Sequence, residues 1–599
     1  MSNTTIGREP IQIFEIEQPS CSNTYGVSPC AAAGTSKCFN TRATCQDTPN
    51  YNHDASIFWR FTHASSNVVI DTYEQDGAIT KTPAIPSLVS VSTVPTKINA
   101  GGASDDLSVL GRRASVKITL GDHQHDDSFA DKYVDERPYN AFDSGTFWGK
   151  WIRRNPYYSA MKCRVYEGYV GETLDQMITK TYVVDAIDGA NSQGKVSITA
   201  KDPLSLADDK RAIMPQTSDL ELFAAINQSK TTGIILTGAE LDLSQEMGNT
   251  GANKYIRIDD EIILYTGYTV STEQYTLTGV VRGQLGTTGA SHSADESAQR
   301  VIHYDTMYSW LIAKDAILNY STVPSAYIDA SAWDVEGNLW LTPFQFTGTI
   351  AEPTPVVDIL EELTRDSMFY IWWDERTQLI EMRALSPVSG DTPAINNESN
   401  ILKDSFSLSA KPDERVSRVI IYYNQKNPTA NDDEISNYSN VRITVDGEAE
   451  SEFLFNEVRS SSIFSRWMVS ESQALQIGTR RLAAFAETPE YMRITMDAKD
   501  RSLWTADVVS VTVPQIQDEF GQAESGLWQI IAVEEIQYGD KIRYDLRRFT
   551  FQINRPAYWT ADDQVTYDLA SDTDKDDLNA WWSDGNGLML NGDDAYRWS

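Results

Sequence analysis

The sequence predicts a β-rich, multidomain α+β fold built on small β-barrel domains. Many segments alternate β-branched or aromatic residues with polar ones and end at Gly, Asp or Asn, as in "KCRVYEGYVG" and "GKVSITAKDP". Helical periodicity is confined to a few segments in the second half of the chain. With 599 residues the chain is too long for a single hydrophobic core. These three observations favour several β-rich domains with one α+β domain among them.

Residues 1–84 predict an opening strand, "IQIFEIE", followed by a cysteine-rich loop. The loop is rich in Gly, Ser, Thr and Asn, which disfavour a long helix. After it, "IFWRFTHAS" at 57–65 reads as another short strand. The cysteine segment is therefore expected to be an insertion between two strands.

A first small β-barrel is predicted for residues 85–229, because at least four strand-like segments follow one another there at close spacing. Between two of them lies "SGTFWGKWIRRNPYYSAMK", where aromatic and basic residues alternate. This pattern is compatible with a ligand-binding face. Packing at the end of strands or a contact between subunits is the more common use of such a segment.

Residues 230–303 predict an inserted β domain that ends in "LTGVVRGQLGTTGASH" and a final strand. Gly283, Gly286 and Gly289 punctuate the loop in this motif, which superficially resembles a phosphate cradle. The spacing is not that of a Walker loop, and no helical pattern follows it. The sequence therefore gives little support for a nucleotide site.

The rest of the chain predicts an α+β domain at 304–400 and a β-rich domain at 401–558 with one helix, "SESQALQIGTRRLAAFAE". Within the α+β domain, 306–320 and 354–368 have helical periodicity, and "FYIWWD" follows as a strand. The remainder, 559–599, predicts an acidic tail. Its "DTDKDD" run has an Asp where a calcium loop needs Gly, so it is interpreted as a solvated acidic run.

The charge balance argues against a ligand that is held through phosphate contacts. Fifty Lys and Arg against 85 Asp and Glu give a net charge of −35, which repels polyanions. No charged and then apolar leader follows Met1, and no apolar run is long enough for a membrane span. We therefore expect synthesis in the cytosol, with no integral membrane segment.

Four cysteines, Cys21, Cys30, Cys38 and Cys45, lie close together in the sequence, whereas the fifth, Cys163, lies inside a predicted strand. In a reducing compartment such a group indicates metal ligands rather than disulfides. The spacing C-x8-C-x7-C-x6-C matches neither zinc knuckles nor the bacterial ferredoxin run. From chemistry alone a [4Fe-4S] cluster, a zinc ion and two disulfides formed after release from the cell all stay open.

Other candidate sites are weaker. His123 and His125 in "GDHQHDDSF" point the same way on a strand beside carboxylates, but without a third fixed ligand they are more often part of a polar loop. The sequence contains no H-E-x-x-H, G-x-S-x-G or Walker motif. No catalytic residue is assigned, and an enzyme is not supported.

Six segments of the first half of the chain can be compared with known proteins: "IGREPIQIFEIEQPSCSNTYGVSPC", "KCFNTRATCQDTPNY", "IPSLVSVSTVPTKIN", "GRRASVKITLGDHQHDD", "GTFWGKWIRRNPYY" and "LTGVVRGQLGTTGASH". They resemble the central baseplate hub or tail-tip protein of long non-contractile-tailed bacteriophages and related gene transfer agents. The resemblance covers about residues 6–305, and 305–558 more loosely.

The resemblance implies a structural virion protein that joins the tail tube to the tip and closes the channel until DNA is ejected into the host cell. In lambda-like phages the similar tail-tip protein carries a [4Fe-4S] cluster, which would assign the ligand roles here to Cys21, Cys30, Cys38 and Cys45 and leave zinc as the alternative. In that arrangement the cluster-bearing region and the larger hub are separate chains, whereas here they are fused.

The family also implies partners and a location. A homotrimer is expected, in contact with the distal tail protein, the tape measure protein and other tail-tip or fibre proteins, assembled in the host cytoplasm and located in the virion. DNA would pass through an acidic lumen without stable binding. The alternative function is a receptor- or carbohydrate-binding tip protein, suggested by Trp and Tyr residues in 146–158 and 559–599. The chain lacks fibronectin-like repeats, so receptor binding is expected to belong to another protein; a cell-wall hydrolase has no motif in its favour.

Overall fold

The computed structural model confirms a β-rich α+β fold of several sheets with few helices. It describes residues 9–63, 69–73, 79–99, 110–127, 131–137, 145–208, 210–239, 254–271, 274–386, 392–498 and 502–549. The predicted acidic tail at 559–599, with the "DTDKDD" run, lies outside the described residues. None of the α-helices within them is long and apolar enough to cross a membrane.

The first sheet is a closed seven-stranded barrel, which begins earlier in the chain than the small barrel predicted for residues 85–229. Around the barrel the strands follow the order β1-β2-β5-β6-β9-β8-β7; β2 pairs with β5 in parallel and the other neighbours are antiparallel. The predicted domain boundary at residue 84 falls inside this barrel. Its strands are β1 (Pro10–Ser20), β2 (Ala55–His63), β5 (Ile85–Val94), β6 (Ser115–Gly121), β7 (Lys162–Tyr169), β8 (Ile178–Asp188) and β9 (Lys195–Lys201), and the hairpin β3 (Val69–Tyr73) and β4 (Ile79–Pro83) lies between β2 and β5.

The barrel has an apolar core because alternate strand residues face inward. A short helix, α1 (Phe147–Arg154), adds three aromatic side chains to that core. The helix packs where β1 and β6 end, since Asp122 Oδ1 accepts from the backbone N–H of Trp148 at 2.9 Å. The core residues include Phe14, Ile16, Trp59, Phe61, Ile118, Leu120, Phe147, Trp148, Trp151, Val165, Val184 and Ile198.

A second sheet with its own apolar core contains most of residues 230–303, where the inserted β domain is predicted, and also strands on either side of that range. The order is β14-β13-β17-β11-β12-β16-β15, and the long strand β17 also pairs with β18. The strands are β11 (Leu220–Leu222), β12 (Ile235–Thr237), β13 (Lys254–Ile258), β14 (Glu261–Tyr265), β15 (Gly267–Ser271), β16 (Gln274–Thr278), β17 (Ser297–Tyr308) and β18 (Gln345–Ile350), and β10 (Ile213–Met214) pairs with β19 (Thr354–Pro355).

The α+β region contains both helices that the periodicity predicts, followed by the predicted strand. Trp333 of the intervening helix donates from its indole to the carbonyl of Ile380 at 2.9 Å, which ties that helix to a two-stranded sheet. The elements are α2 (Ser309–Tyr320), α3 (Ala330–Trp340), α4 (Val356–Ser367), β20 (Phe369–Asp374) and β21 (Leu379–Ala384).

The last region is β-rich with one helix, as predicted. A six-stranded sheet has the order β22-β28-β29-β30-β27-β23, and α5 packs on a three-stranded sheet, β25-β24-β26. The elements are β22 (Ala394–Asn396), β23 (Ser407–Ala410), β24 (Arg418–Gln425), β25 (Tyr438–Val445), β26 (Ser460–Phe464), α5 (Glu471–Phe485), β27 (Glu490–Asp497), β28 (Val508–Gln517), β29 (Ala523–Gln537) and β30 (Lys541–Arg548).

The barrel contacts this last sheet directly. The backbone N–H of Ile98 donates to the carbonyl of Ile531 at 2.9 Å, and the Tyr169 hydroxyl donates to the carbonyl of Gly539 at 2.9 Å. The two β-rich ends of the chain are therefore joined, although more than 300 residues separate them in sequence.

Candidate functional site

The cysteine loop, which we define as residues 21–54, leaves the barrel at the end of β1 and returns at the start of β2. It is an insertion between two strands, as the sequence predicts. The two strands are antiparallel neighbours, and Ser20 pairs with Ala55. Both ends of the loop are therefore fixed at one edge of the barrel.

Gln18 fastens the entry of the loop to the aromatic core. Its side-chain oxygen accepts two indole N–H groups, from Trp59 at 2.9 Å and from Trp151 at 2.7 Å, and Gln18 is buried. A buried amide oxygen that makes two hydrogen bonds is fully satisfied. The end of strand β1 is thus linked both to β2 and to α1.

Within the loop, short turns and side-chain hydrogen bonds replace regular structure. The backbone N–H of Cys21 donates to the carbonyl of Asn40 at 2.7 Å, and that of Ala31 donates to Asp47 Oδ2 at 2.6 Å. The hydrogen bond to Ala31 lowers the pKa of Asp47. These contacts fold the two halves of the loop back on each other.

The four thiols of the loop interact electrostatically. All four cysteines are free and half-buried. Burial raises the pKa of the Cys38 thiol, a hydrogen bond from the backbone N–H of Asn40 lowers it, and negative charge on Cys45, Cys21 and Cys30 raises it further. The four thiols therefore share one loop, but within the described residues they are not arranged as a metal-binding cluster.

The donor chemistry of four thiols suits a thiolate-bound metal, but in the described part of the chain the cysteines are not arranged as a metal-binding cluster. Within the described residues, no group of three or more His, Cys, Asp or Glu side chains is arranged to hold a metal ion. The metal and its four ligands stay predictions.

Cys163 lies apart from this group. It is in β7, completely buried in the barrel core, and burial strongly raises the pKa of its thiol. An inert, protonated thiol in an apolar core behaves as a small hydrophobic residue.

His123 and His125 lie in the loop after β6. Their rings contact each other with 5.8 Å between centroids, and both contact the ring of Phe147. The Nδ1 atom of His125 accepts from the backbone N–H of Asp127 at 3.0 Å, and burial lowers the pKa of His125. The pair packs against α1 and belongs to no metal group among the residues described.

The aromatic and basic segment at 146–158 is mainly internal. Phe147, Trp148 and Trp151 are buried in the barrel core, whereas Tyr157 is 70% exposed. The segment contributes packing at the end of the barrel strands. The aromatic surface that suggested carbohydrate binding is therefore largely covered in this segment, and the other one, in 559–599, lies outside the described residues.

The glycine loop, which we define as residues 282–291, does bind an anion, but the anion is a side chain of the same chain. Glu261 accepts two hydrogen bonds from the Arg282 guanidinium at 2.6 Å each, and one each from the backbone N–H groups of Gly283 at 2.9 Å and Ala290 at 2.7 Å. The Nε2 atom of His292 completes the set at 2.9 Å. A nucleotide would find these donors already used.

These contacts stabilise the charged form of a buried carboxylate. Burial alone would raise the pKa of Glu261, yet the hydrogen bonds from Arg282, Ala290, His292 and Gly283 together lower it to about 2. Glu261 is 1% exposed. The loop is therefore built around a buried, ionised side chain.

Sequence reasoning did not identify Gln18, Glu261 or helix α1. Thr146 caps α1 through a hydrogen bond from the backbone N–H of Gly149, and Arg153 and Arg154 lie in its last turn before Pro156. Those start and stop signals could have indicated the helix. The contacts of Gln18 and Glu261 span from 21 to 133 residues, and no local pattern encodes them.

Comparisons with known proteins give distant structural likenesses. No family model and no curated protein matches the chain. A tail protein from Neisseria meningitidis MC58 is 10% identical, with a TM-score of 0.35 over 79% of this chain and 94% of that one. The 43 kDa tail protein of prophage MuSo2 from Shewanella oneidensis is 10% identical, with a TM-score of 0.34 over 79% and 96%.

A chain of a native gene transfer agent virion is 12% identical, with a TM-score of 0.31 over 60% of this chain and 94% of that one. With TM-scores this low, the likenesses do not establish a common fold or function.

Proposed function

We propose that this chain is a structural protein of a virion tail tip, of the phage or gene transfer agent kind, and that its cysteine loop binds a [4Fe-4S] cluster through Cys21, Cys30, Cys38 and Cys45. In this proposal the protein joins the tail tube to the tip and closes the channel until DNA is ejected. The proposal includes no catalytic turnover.

One observation carries the proposal: a loop with four free, half-buried thiols is inserted between adjacent strands of a closed barrel. This arrangement agrees with the sequence motifs of residues 6–305, which resemble the tail-tip family. Four thiolates need a cationic centre, because like charges held close together destabilise one another. A metal cluster supplies that charge.

The overall charge suits a channel for DNA. With a net charge of −35, the protein repels the phosphate backbone, so DNA can move past without adhering. The proposed assembly is a homotrimer that contacts the distal tail protein, the tape measure protein and other tip or fibre proteins, assembled in the host cytoplasm and carried on the virion.

The cofactor is tested by measuring iron and acid-labile sulfide in protein isolated anaerobically. We expect about four of each per chain, with a visible absorption band that dithionite bleaches. The variants Cys30→Ser and Cys38→Ser should lose iron, whereas the matched control Cys163→Ala should keep it, because Cys163 lies in the barrel core. A colourless, iron-free wild-type protein would overturn the cluster, and stoichiometric zinc would replace it with the alternative metal.

The structural role is tested by complementation. Particles made without this protein should lack completed tails in electron micrographs, and the wild-type chain supplied in trans should restore them. Intact tails in its absence would exclude the proposed role.

A further inference from the structure

Residues 131–137, "DKYVDER", form a short brace that contacts the cysteine loop at two separate places. Near the first cysteine, the Tyr133 hydroxyl accepts from the backbone N–H of Tyr25 at 2.7 Å. Near the third, Arg137 donates to the carbonyls of Lys37 at 3.1 Å and Cys38 at 2.9 Å. The brace therefore spans both halves of the loop.

The brace is itself held in a defined conformation. The carboxylate of Asp131, which is 4% exposed, pairs with the Arg137 guanidinium through two nitrogens. It also accepts from the backbone N–H of Tyr133 at 3.0 Å. A paired guanidinium loses less freedom when it makes further hydrogen bonds, because its plane is already oriented. Arg137 is thus prepositioned toward the loop.

Phe39, which follows Cys38, lies between two guanidinium groups. The centre of the Arg137 guanidinium is 4.0 Å from the ring centroid, and that of Arg154 is 3.8 Å from it. These distances fit two cation–π contacts on one ring. The aromatic side chain is therefore clamped by one residue of the brace and one of helix α1.

Arg154 connects this clamp to the barrel. Its Nη2 donates to Asp127 Oδ2 at 2.8 Å, and Lys150 pairs with the other oxygen of the same carboxylate at 2.8 Å. Both basic residues belong to α1, whose aromatic side chains lie in the barrel core. Contacts run without a break from the barrel core to the residue beside Cys38.

We propose that Tyr133, Arg137 and Arg154 are positioning residues that hold the cysteine loop on the barrel whether or not a metal is bound. The loop then has its folded conformation before the cluster binds, and binding of the cluster does not drive its folding. This inference rests on the proposed function for the identity of the metal, but it concerns the metal-free conformation of the loop.

The test is hydrogen–deuterium exchange on a full-length chain in which Cys21, Cys30, Cys38 and Cys45 are all replaced by Ser, so that no cluster can bind. We expect the amides of Tyr25 and Ala31 to exchange at least about tenfold more slowly than in an unstructured peptide. Exchange at the unstructured rate would overturn the inference.

In the same Ser background, Phe39→Ala, Arg137→Ala and Arg154→Ala should each raise the exchange of those amides by about three- to tenfold. Phe39→Tyr should keep the protection, since it retains the aromatic face. Arg153→Ala is the matched control for Arg154→Ala, because Arg153 is its exposed neighbour on α1. Unchanged exchange in all three test variants would also overturn the inference.

Two readouts keep folding and function separate. Protection of barrel amides such as Ile118 should not change in any of these variants. A variant that loses this protection is misfolded. In that case Phe39→Leu, which keeps the apolar volume, is measured instead. Iron analysis of the wild-type protein tests the cluster independently. Iron with an unprotected metal-free loop refutes the positioning role alone, and a protected loop without iron refutes the cluster alone.

Discussion

The cysteine loop and the glycine loop both contain little regular structure, and arginines hold each of them in a different way. In the glycine loop, Arg282 pairs with a carboxylate that is 1% exposed, and the chain itself supplies the other donors. Arg137 and Arg154, with side chains 21% and 16% exposed, clamp the ring of Phe39 in the cysteine loop, whose four thiols are free.

The two loops differ in what their arginines hold: a buried carboxylate in the glycine loop and an aromatic ring in the cysteine loop. A buried carboxylate must be matched fully by its own chain, because an unpaired buried charge costs several kcal/mol. Half-buried thiols carry no such requirement while they are protonated. We therefore expect substitutions that remove contacts of the glycine loop to lower the stability of its whole sheet. Substitutions that remove contacts of the cysteine loop should act locally.

The largest effect is expected for Glu261→Ala. Removing this carboxylate leaves the buried Arg282 guanidinium without its charged partner, with only backbone carbonyls to accept from it, and leaves His292 paired with Asp259 alone. The free energy of opening of β13 and β14 should therefore fall by about 3–5 kcal/mol. Native-state hydrogen exchange at those strands measures it. Glu352→Ala is the control, because Glu352 is 71% exposed and pairs with Arg257 at 3.3 Å. A loss no larger than that of the control would remove the distinction between the two loops.

A smaller loss is expected for Gly286→Ala. Gly286 has φ +84°, and a Cβ there would lie 1.8 Å from the carbonyl oxygen of Lys426. The glycine loop would have to move away from its neighbour, at a cost of about 1–3 kcal/mol in the free energy of opening of β14. Gly233→Ala isolates the backbone contribution, since Gly233 has φ +61° with open space around its Cβ position. Equal losses in the two variants would show that the contact with Lys426 is unimportant.

The smallest effect is expected for Lys37→Ala in the cysteine loop. Lys37 pairs with Glu136 at 2.8 Å and lies 4.4 Å from the centre of the Tyr133 ring, but both charged side chains are substantially exposed. The loss should not exceed about 0.5 kcal/mol in the free energy of opening of the loop, because water screens such pairs. Hydrogen exchange at Ala31 measures it. If Lys37→Ala lowers the free energy of opening as much as Arg137→Ala does, then surface charge, and not the contacts with Phe39, holds the loop.

The sequence predicted those features that local patterns encode. The strands on either side of the cysteine loop and helices α2, α4 and α5 follow from periodicities of two and 3.6 residues. Helix α1 was missed because it is only eight residues long and contains Gly149 among β-favouring aromatic residues.

The candidate site was predictable only in part. The four cysteines could be selected because thiols are rare in the chain and these four lie close together in sequence. The clamp could not be predicted, since Arg137 and Arg154 lie about 100 residues beyond Phe39 and become neighbours only when the barrel closes. The same holds for Glu261, which looks in the sequence like any other acidic residue of a strand.

The pairing of Ser20 with Ala55 has a consequence for protein engineering. Because Ser20 and Ala55 are paired residues of antiparallel neighbours, we expect that a tight hairpin turn such as Asn-Gly can replace residues 21–54 while the strand order of the barrel stays the same. The cysteine loop is therefore an insertion that does not alter the connections of the barrel strands. Its removal or lengthening would leave the connections between the other strands of the barrel unchanged.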